Sequence, residues 1–190
     1  MSRMSRIAIA DFPLAGLKRV TRQRLGDARG FLSRLFCAEE LALAGWQKPI
    51  VQINHTYTAK CGTVRGMHYQ TPPHAEMKLV SCIRGEVFDV AVDLRAGSST
   101  FLQWHAETLS ADNGRALLIP EGFAHGFQTL SDDCEMLYLH TAAHAPDAEA
   151  GLRVDDPCLG VAWPLPIAEL SPRDREHPLL TPQFKGMDVA

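Results

Sequence analysis

The sequence predicts an all-β protein, built as an antiparallel sandwich or a jelly roll. Turn-forming residues recur about every ten residues, and the stretches between them are apolar or alternate between apolar and polar residues. This spacing is typical of antiparallel sheets, whereas alternating β/α units need helical patterns between the strands. A convincing long helical pattern is absent from the sequence.

Ten segments carry the strand pattern. They are residues 7–10, 31–36, 51–58, 62–70, 78–83, 87–94, 101–109, 116–119, 126–130 and 135–141. The first segment lies within residues 6–20, which we interpret as an edge strand followed by a loop. The strongest signal spans residues 77–94 and splits at Arg84-Gly85-Glu86. Its second half alternates only in part, which indicates a strand covered on both faces.

The remaining elements are turns, short helices and an irregular tail. Gly26 to Phe31 reads as a turn with two glycines flanking an arginine. Residues 39–45 predict one or two helical turns that stop at Gly45, and a second short helix is expected near Ser171–Arg175. From Ala143 the composition shifts to Pro, Asp and Ala, which predicts an irregular C-terminal tail packed on the barrel.

Composition bounds the class of protein. The length of 190 residues suits one domain spanning residues 1–190, and a net charge of -3 with scattered arginines does not favour a nucleic-acid surface. The five cysteines have no C-x-x-C spacing, which favours reduced thiols in a cytoplasmic protein. The N-terminal apolar run ends at Asp11, too early for a signal peptide, and no later stretch approaches a membrane span.

Polar residues interrupt the strands where apolar ones are expected. Lys78 begins an apolar strand ten positions after His68, and Asp89 interrupts another; the prolines between His68 and Lys78 predict a chain reversal that places them on neighbouring strands. Because burying ionisable groups is costly, several of them in one barrel predict a lined cavity. Arg65 precedes His68 by three positions, so the two share a face only if a bulge at Gly66 re-aims one. Asp93 is expected to end its strand in solvent.

A histidine motif bears on metal binding. Pro120, Gly122 and His125 resemble the second half of the cupin pattern, P-x-G-x-x-H. The first half, H-x-H followed by Glu, is absent, since His68 and His74 are six positions apart. We therefore favour a metal-free, cupin-type jelly-roll barrel of antiparallel strands with a polar cavity. A metal-dependent cupin enzyme, a dioxygenase or sugar isomerase using these histidines, remains the alternative, and a binding module without turnover is a third.

Several stretches, taken in order, resemble the dTDP-4-dehydrorhamnose 3,5-epimerases of nucleotide-sugar metabolism. The matching stretches are residues 26–31, 64–70, 78–80, 84–93, 119–127 and 170–174. Each is weakly specific alone, whereas the ordered set, spread over roughly residues 12–182, is highly specific. The resemblance implies a homodimer that uses no metal or other cofactor, with N-terminal strands contributing to the partner's nucleotide site.

The resemblance also implies a catalytic set. His68 matches the base, Asp174 the carboxylate that holds it, Lys78 the cation beside the keto oxygen, and Tyr138 the acid on the opposite face of the sugar. On the residues alone, Tyr138 is equally well explained as a core aromatic, and Asp174 better as a capping or surface acid.

A substrate-binding set is implied in the same way, for a nucleotide-diphosphate sugar. Its members are Arg29, Arg65, Gln52, Asn54, Asp89, His125 and Arg34. Arg29 and Arg65 match arginines that face the diphosphate and the nearby sugar, while His125 and Asp89 match polar residues of the sugar pocket.

The base-binding region departs from the family pattern. Leu25 replaces an aromatic residue, Arg34 replaces a glutamate, and Ala143-His144 replace a tyrosine pair before Pro146. Losing stacking partners weakens thymine recognition, and exchanging an acid for a guanidinium changes the hydrogen-bond pattern offered to the base. A CDP- or GDP-linked sugar therefore stays open as the substrate.

Overall fold

A computed structural model describes residues 5–189, whose strands form two antiparallel sheets and a separate hairpin. The strands are β1 (Ile7–Asp11), β2 (Lys18–Arg22), β3 (Arg24–Asp27), β4 (Gly30–Ser33), β5 (Gln52–Thr58), β6 (Val64–Gln70), β7 (Lys78–Arg84), β8 (Glu86–Asp93), β9 (Trp104–Ser110), β10 (Arg115–Ile119), β11 (Phe123–Thr129), β12 (Cys134–His140) and β13 (Glu149–Gly151). One sheet has the order β1-β2-β10-β7-β12-β5, the other β13-β6-β11-β8-β9, and β3 pairs with β4. The all-β prediction is confirmed.

Apolar residues fill three layers. Val80, Leu117 and Met136 of the six-stranded sheet meet Phe127 and Ala91 of the five-stranded sheet in a shared cluster. The outer face of the five-stranded sheet packs against the C-terminal tail, and the outer face of the six-stranded sheet packs against the segment that follows β4. Strand β8 contributes to the shared cluster and to the outer one, so the prediction that both its faces are covered is confirmed.

Two short α-helices flank the sheets. Helix α1 (Ala38–Ala42) is followed by Gly45 at a φ of 97°, as the glycine stop predicts. Helix α2 (Pro172–Glu176) begins after Ser171, whose hydroxyl accepts a hydrogen bond of 3.0 Å from the Asp174 N–H. Within residues 5–189, neither helix is long and apolar enough to cross a membrane.

Several strand boundaries differ from the predictions. Residues 18–20 belong to β2 and not to a loop. The predicted strand 31–36 stops at Ser33, because it pairs only within a hairpin whose Phe31 and Leu32 side chains are more than half exposed. Strand β9 begins at Trp104, since Leu102 adopts a φ of 62° that interrupts extended backbone.

The sequence pattern predicts that Asp93 ends its strand in solvent, but this prediction is wrong. Its side chain is completely buried at the end of β8. It accepts hydrogen bonds from the backbone and guanidinium of Arg95 and from the hydroxyls of Ser98 and Thr100. A turn that folds back over the strand supplies these donors, and local hydrophobic patterning does not report such a turn.

Candidate active site

A cavity of about 770 Å³ opens between the two sheets. Strands β5, β7 and β12 line it from one sheet and β6 and β11 from the other, and residues of α2 close one side. Eight of the eleven predicted site residues line it: Gln52, Asn54, Arg65, His68, Lys78, His125, Tyr138 and Asp174.

A bulge in β6 brings Arg65 and His68 to the same cavity. His68 pairs with His125 of β11, whereas Arg65 pairs with Phe127, so β6 carries one extra residue between the two pairs. Gly66 occupies this bulge at a φ of 135°, and a Cβ there would lie 2.5 Å from the Gly126 Cα. Only glycine fits this close approach of the two strands. The bulge turns the Arg65 and His68 side chains toward the same cavity, as expected.

His68 and Asp174 form a hydrogen-bonded pair at the cavity wall. His68 Nε2 lies 2.6 Å from Asp174 Oδ1, and the Gly66 N–H donates to Asp174 Oδ2 at 3.3 Å. Burial raises the pKa of the Asp174 carboxyl, but the His68 hydrogen bond and charge outweigh it, so the pKa lies below its usual value. An ionised carboxylate only accepts hydrogen bonds, so the neutral imidazole of His68 carries its proton on Nε2 and has its lone pair on Nδ1.

Lys78 lies beside His68, although not on a neighbouring strand. Strand β7 belongs to the six-stranded sheet and β6 to the five-stranded sheet, so that part of the expectation was wrong. The Lys78 Nζ lies 3.4 Å from the His68 carbonyl oxygen and 3.1 Å from Glu76 Oε1. Lys78 approaches His68 across the barrel interior, because the segment between the two residues crosses from one sheet to the other.

Tyr138 faces the cavity from the six-stranded sheet, opposite the sheet that carries His68. Its ring meets the His125 ring edge-on, with centroids 5.9 Å apart. Burial and the nearby Asp89 carboxyl raise the pKa of the Tyr138 phenol well above its usual value. The phenol therefore keeps its proton at neutral pH and can donate it.

Asp89 and His125 form a second buried pair. His125 Nε2 lies 2.8 Å from Asp89 Oδ1. Burial raises the pKa of the Asp89 carboxyl, and His125 and Lys78 oppose that shift. Asp89 itself stands behind His125 and does not line the cavity, so its contact with the site is made through the histidine.

Arg29 and Arg34 lie outside the cavity of their own chain. The Arg29 side chain is largely exposed at the tip of the β3–β4 hairpin, where it bonds Asp27. Arg34 pairs with Glu40. The structure therefore does not bring these two arginines to the other predicted site residues within one subunit.

Glu76 and His140 are among the cavity-lining residues that sequence reasoning missed. Burial, followed by the positive charges of Lys78 and its histidine neighbours, lowers the pKa of His140 to about 4, so the ring is neutral at physiological pH. His140 follows Tyr138 by two positions in β12, so strand periodicity could have placed it on the cavity face. Glu76 precedes β7 in a loop, where no periodicity applies.

The metal-dependent alternative used His68, His74 and His125 as ligands. Among the residues that the structure describes, the group whose ligand atoms lie within 4.8 Å of one another is instead His68, Asp174 and His177. His125 is hydrogen-bonded to Asp89, and the three-histidine set of the alternative is not assembled among these residues.

The fold and the cavity define a cupin-type barrel enzyme in which the His68–Asp174 pair, Lys78 and Tyr138 line one cavity. The family model for dTDP-4-dehydrorhamnose 3,5-epimerase matches residues 11–182. The chain belongs to this family and is a carbohydrate epimerase, an isomerase.

Individual relatives agree over most of the chain. The dTDP-4-dehydrorhamnose 3,5-epimerase of Salmonella typhimurium is 45% identical over 157 residues, which cover 82% of this chain and 85% of that protein. The dTDP-6-deoxy-D-glucose-3,5-epimerase of Legionella pneumophila, solved with dTDP-4-keto-L-rhamnose, has a TM-score of 0.89 at 37% identity and covers 97% of this chain and 100% of that chain. A 3'-monoepimerase from Streptomyces bikiniensis, solved with dTDP-quinovose, has a TM-score of 0.81 at 31% identity. The match covers 88% of this chain and 85% of that chain.

Proposed function

We propose that this protein inverts C3, C5 or both in a dTDP-linked 4-keto-6-deoxyhexose, with dTDP-4-dehydro-6-deoxyglucose as the substrate. The observation that carries the proposal is the meeting of the His68–Asp174 pair, Lys78 and Tyr138 in one cavity. Such a sugar has a ketone at C4, which acidifies the C–H bonds at C3 and C5. Abstracting one proton and returning it from the opposite face inverts the carbon.

His68 is the base in this proposal. Its Nδ1 lone pair faces away from Asp174 and takes the proton from C3 or C5, while Asp174 holds the tautomer and stabilises the imidazolium that forms. Asp174 is almost fully buried, so its charge acts on His68 with little screening by water.

Lys78 stabilises the enolate. As the proton leaves, negative charge moves to the C4 oxygen, and a buried ammonium beside His68 meets it there. The interaction is stronger in the transition state than with the neutral ketone, so it accelerates the reaction and does not only tighten binding.

Tyr138 is the acid that completes the inversion. It lines the cavity from the sheet opposite His68, and its raised pKa keeps the phenol protonated until an enolate accepts the proton. A base and an acid on opposite walls are what inversion requires, because a single group on one wall returns the proton to the face it left.

Substrate binding divides between the cavity and a second subunit. Gln52, Asn54, Arg65 and His125 line the cavity and contact the sugar and diphosphate, with Asp89 orienting His125. Arg29 and Arg34 lie outside it, and we assign them to the nucleotide site of the partner in a homodimer. The exposed apolar residues of β5 and of the hairpin supply the area that such an interface needs.

The relatives solved with dTDP-sugars support thymidine as the base. Leu25, Arg34 and His144 still depart from the family pattern, and Arg34 is engaged by Glu40. We expect dTDP to bind more weakly here than in relatives that keep the aromatic residues. We also propose a cytoplasmic location, supported by five free cysteines.

Deuterium incorporation tests the proposal. The protein is incubated in D₂O with dTDP-4-keto-6-deoxyglucose, and C3 and C5 are followed by NMR and mass spectrometry; CDP and GDP counterparts are run in parallel. Exchange at both carbons of the dTDP sugar establishes a 3,5-epimerase, and exchange at C3 alone establishes a monoepimerase. Exchange with only the CDP or GDP sugar refutes the thymidine assignment, and no exchange from folded protein refutes the epimerase.

The metal-dependent alternative is tested on the same reaction. We expect the exchange rate to be unchanged after exhaustive dialysis against EDTA and after addition of Fe²⁺, Mn²⁺ or Zn²⁺. A rate that disappears on dialysis and returns with one of these ions would establish the metal-dependent enzyme.

A further inference from the structure

We propose that Glu76 is a positioning residue for Lys78, whose amine it holds at the cavity wall. The inference rests on the proposed function, because it assigns Lys78 to the developing enolate. No family motif identified in the sequence includes residue 76. Its place next to the reacting groups is a finding of the structure alone.

Glu76 and Lys78 form a buried ion pair. Glu76 Oε1 lies 3.1 Å from Lys78 Nζ, and the two side chains are 5% and 10% exposed. Both line the cavity. An ammonium removed from water is costly unless an opposite charge and hydrogen-bond acceptors replace the lost hydration. Glu76 supplies the charge, and the His68 carbonyl oxygen, 3.4 Å from Nζ, supplies a further acceptor.

The Glu76 carboxylate is itself held in place. Its Oε2 accepts a hydrogen bond of 2.6 Å from Gln70 Nε2. Gln70 Nε2 also lies within bonding distance of the carbonyl oxygens of His74 and Ala143, and Gln70 Oε1 accepts from the Ala145 N–H. Glu76 is thus bonded to Gln70, and Gln70 to the cavity loop 143–145, so the carboxylate is fixed before substrate arrives.

The other groups that face Lys78 do not replace Glu76. Strand β12 presents the His140 ring and the Tyr138 phenol, and β11 presents the His125 ring. The two rings supply no negative charge, and the phenol keeps its proton. From β8, the Asp89 carboxyl acts on Lys78 at longer range and is engaged by His125. Within residues 5–189, the ion pair of Lys78 is made with Glu76 alone.

A substitution that removes the charge and keeps the shape tests the inference. In Glu76→Gln, we expect kcat to fall about tenfold to a hundredfold with KM nearly unchanged, since the ammonium acts mainly in the transition state. A kcat equal to that of the wild type, or a loss that appears only in KM, would overturn the inference.

Glu107→Gln is the matched control. Glu107 is also a buried carboxylate in an ion pair, with Arg115 and Arg19, and lies outside the cavity. It measures the general effect of removing a buried charge, and we expect its kcat to stay near that of the wild type.

A second readout needs neither substrate nor turnover. The chain has five lysines, at positions 18, 48, 60, 78 and 185, so lysine labelled with ¹³C and ¹⁵N gives a spectrum that Lys78→Met assigns. We expect the signals of the Lys78 side chain to move in Glu76→Gln and to coincide with those of the wild type in Glu107→Gln. Unmoved Lys78 signals in Glu76→Gln overturn the inference, even if the protein turns out to act on another substrate.

Glu76→Asp covers the case in which the glutamine variant does not fold. It keeps the charge but retracts it by one methylene, so we expect a several-fold loss of kcat with KM nearly unchanged. Wild-type kcat in Glu76→Asp would overturn the positioning role. Failure of the proposed epimerase activity appears separately, as absence of deuterium exchange in the wild type.

Discussion

His68 Nε2 and Asp174 Oδ1 lie 2.6 Å apart, although 106 positions separate the two residues in the sequence. The contact joins strand β6 to the N-terminal turn of α2, where Ser171 caps the helix and fixes Asp174. The same carboxylate accepts the Gly66 N–H, so it also braces the bulge that aims His68.

We expect Asp174→Asn to lower kcat about a hundredfold to ten-thousandfold while the protein stays folded. An asparagine amide can donate to His68 Nε2, which would move the imidazole proton to Nδ1, the atom that must take the substrate proton. Steady-state kinetics on the deuterium-exchange assay measures the loss, and thermal unfolding checks the fold. Wild-type kcat in the asparagine variant would show that the carboxylate only supports structure.

Tyr138→Phe should separate proton removal from inversion. Without the acid, His68 still abstracts the proton, so we expect exchange of hydrogen for deuterium at C3 or C5 to continue. Epimerised product should fall about a hundredfold or more, because deuterium then returns from the His68 side. NMR distinguishes the two products by configuration and by isotope. Equal losses of exchange and of epimerisation would place Tyr138 on the binding step instead.

The ordered motifs in the sequence located several of the residues that line the cavity, because the motifs are local. Gly66 permits a bulge, and that bulge was the stated condition for Arg65 and His68 to share a face. Asp174 shows where local reasoning fails. On the residues alone it is a helix-capping or surface acid, and only the fold of the tail over the barrel makes it a buried partner of His68.

The strand assignments were reliable where the apolar pattern was strong, as in β7, β8 and β12. They failed at Leu102, where a left-handed backbone conformation interrupts an apolar run. Glu76 was missed for a related reason. It lies in a loop, and its contact with Lys78 depends on the crossing of the chain from one sheet to the other.

Because of the buried Asp93 carboxyl, we expect the free energy of unfolding to fall as the pH becomes acidic. Hydrogen bonds from Arg95, Ser98 and Thr100 outweigh the effect of burial and lower the pKa of its carboxyl from 3.8 to about 2. A folded-state pKa below the unfolded value stabilises the protein fully above about pH 4, and this contribution is lost as pH falls through 2. The shift corresponds to about 2 kcal/mol.

We therefore expect the free energy of unfolding of the wild type to fall between pH 5 and pH 2 by about 2 kcal/mol more than that of Asp93→Asn. Urea denaturation at several pH values measures both curves. The asparagine variant, which cannot ionise at this position, is also expected to be less stable than the wild type at neutral pH. Parallel curves for the two proteins would mean that Asp93 does not contribute to the pH dependence.

The edge strand β5 should form the homodimer interface. It lies at the end of the six-stranded sheet. Its Gln52 and Asn54 side chains line the cavity, while Ile53 and Tyr57, on the opposite face, are 59% and 51% exposed. An unpaired edge beside exposed apolar side chains is a surface that folded proteins cover. Light scattering should give a mass of about 42 kDa, twice the 20.9 kDa of one chain.

Placing a charge in this surface should separate the subunits. In Ile53→Asp we expect the mass to fall to that of one chain and epimerase activity to fall with it, because Arg29 and Arg34 then no longer reach a partner's nucleotide site. Leu179→Asp, at an exposed apolar residue of the C-terminal tail, is the control and should stay dimeric. If the wild type is monomeric, or if Ile53→Asp is a monomer with full activity and unchanged KM, the partner subunit does not contribute to the site. Arg29 and Arg34 would then have no role in binding.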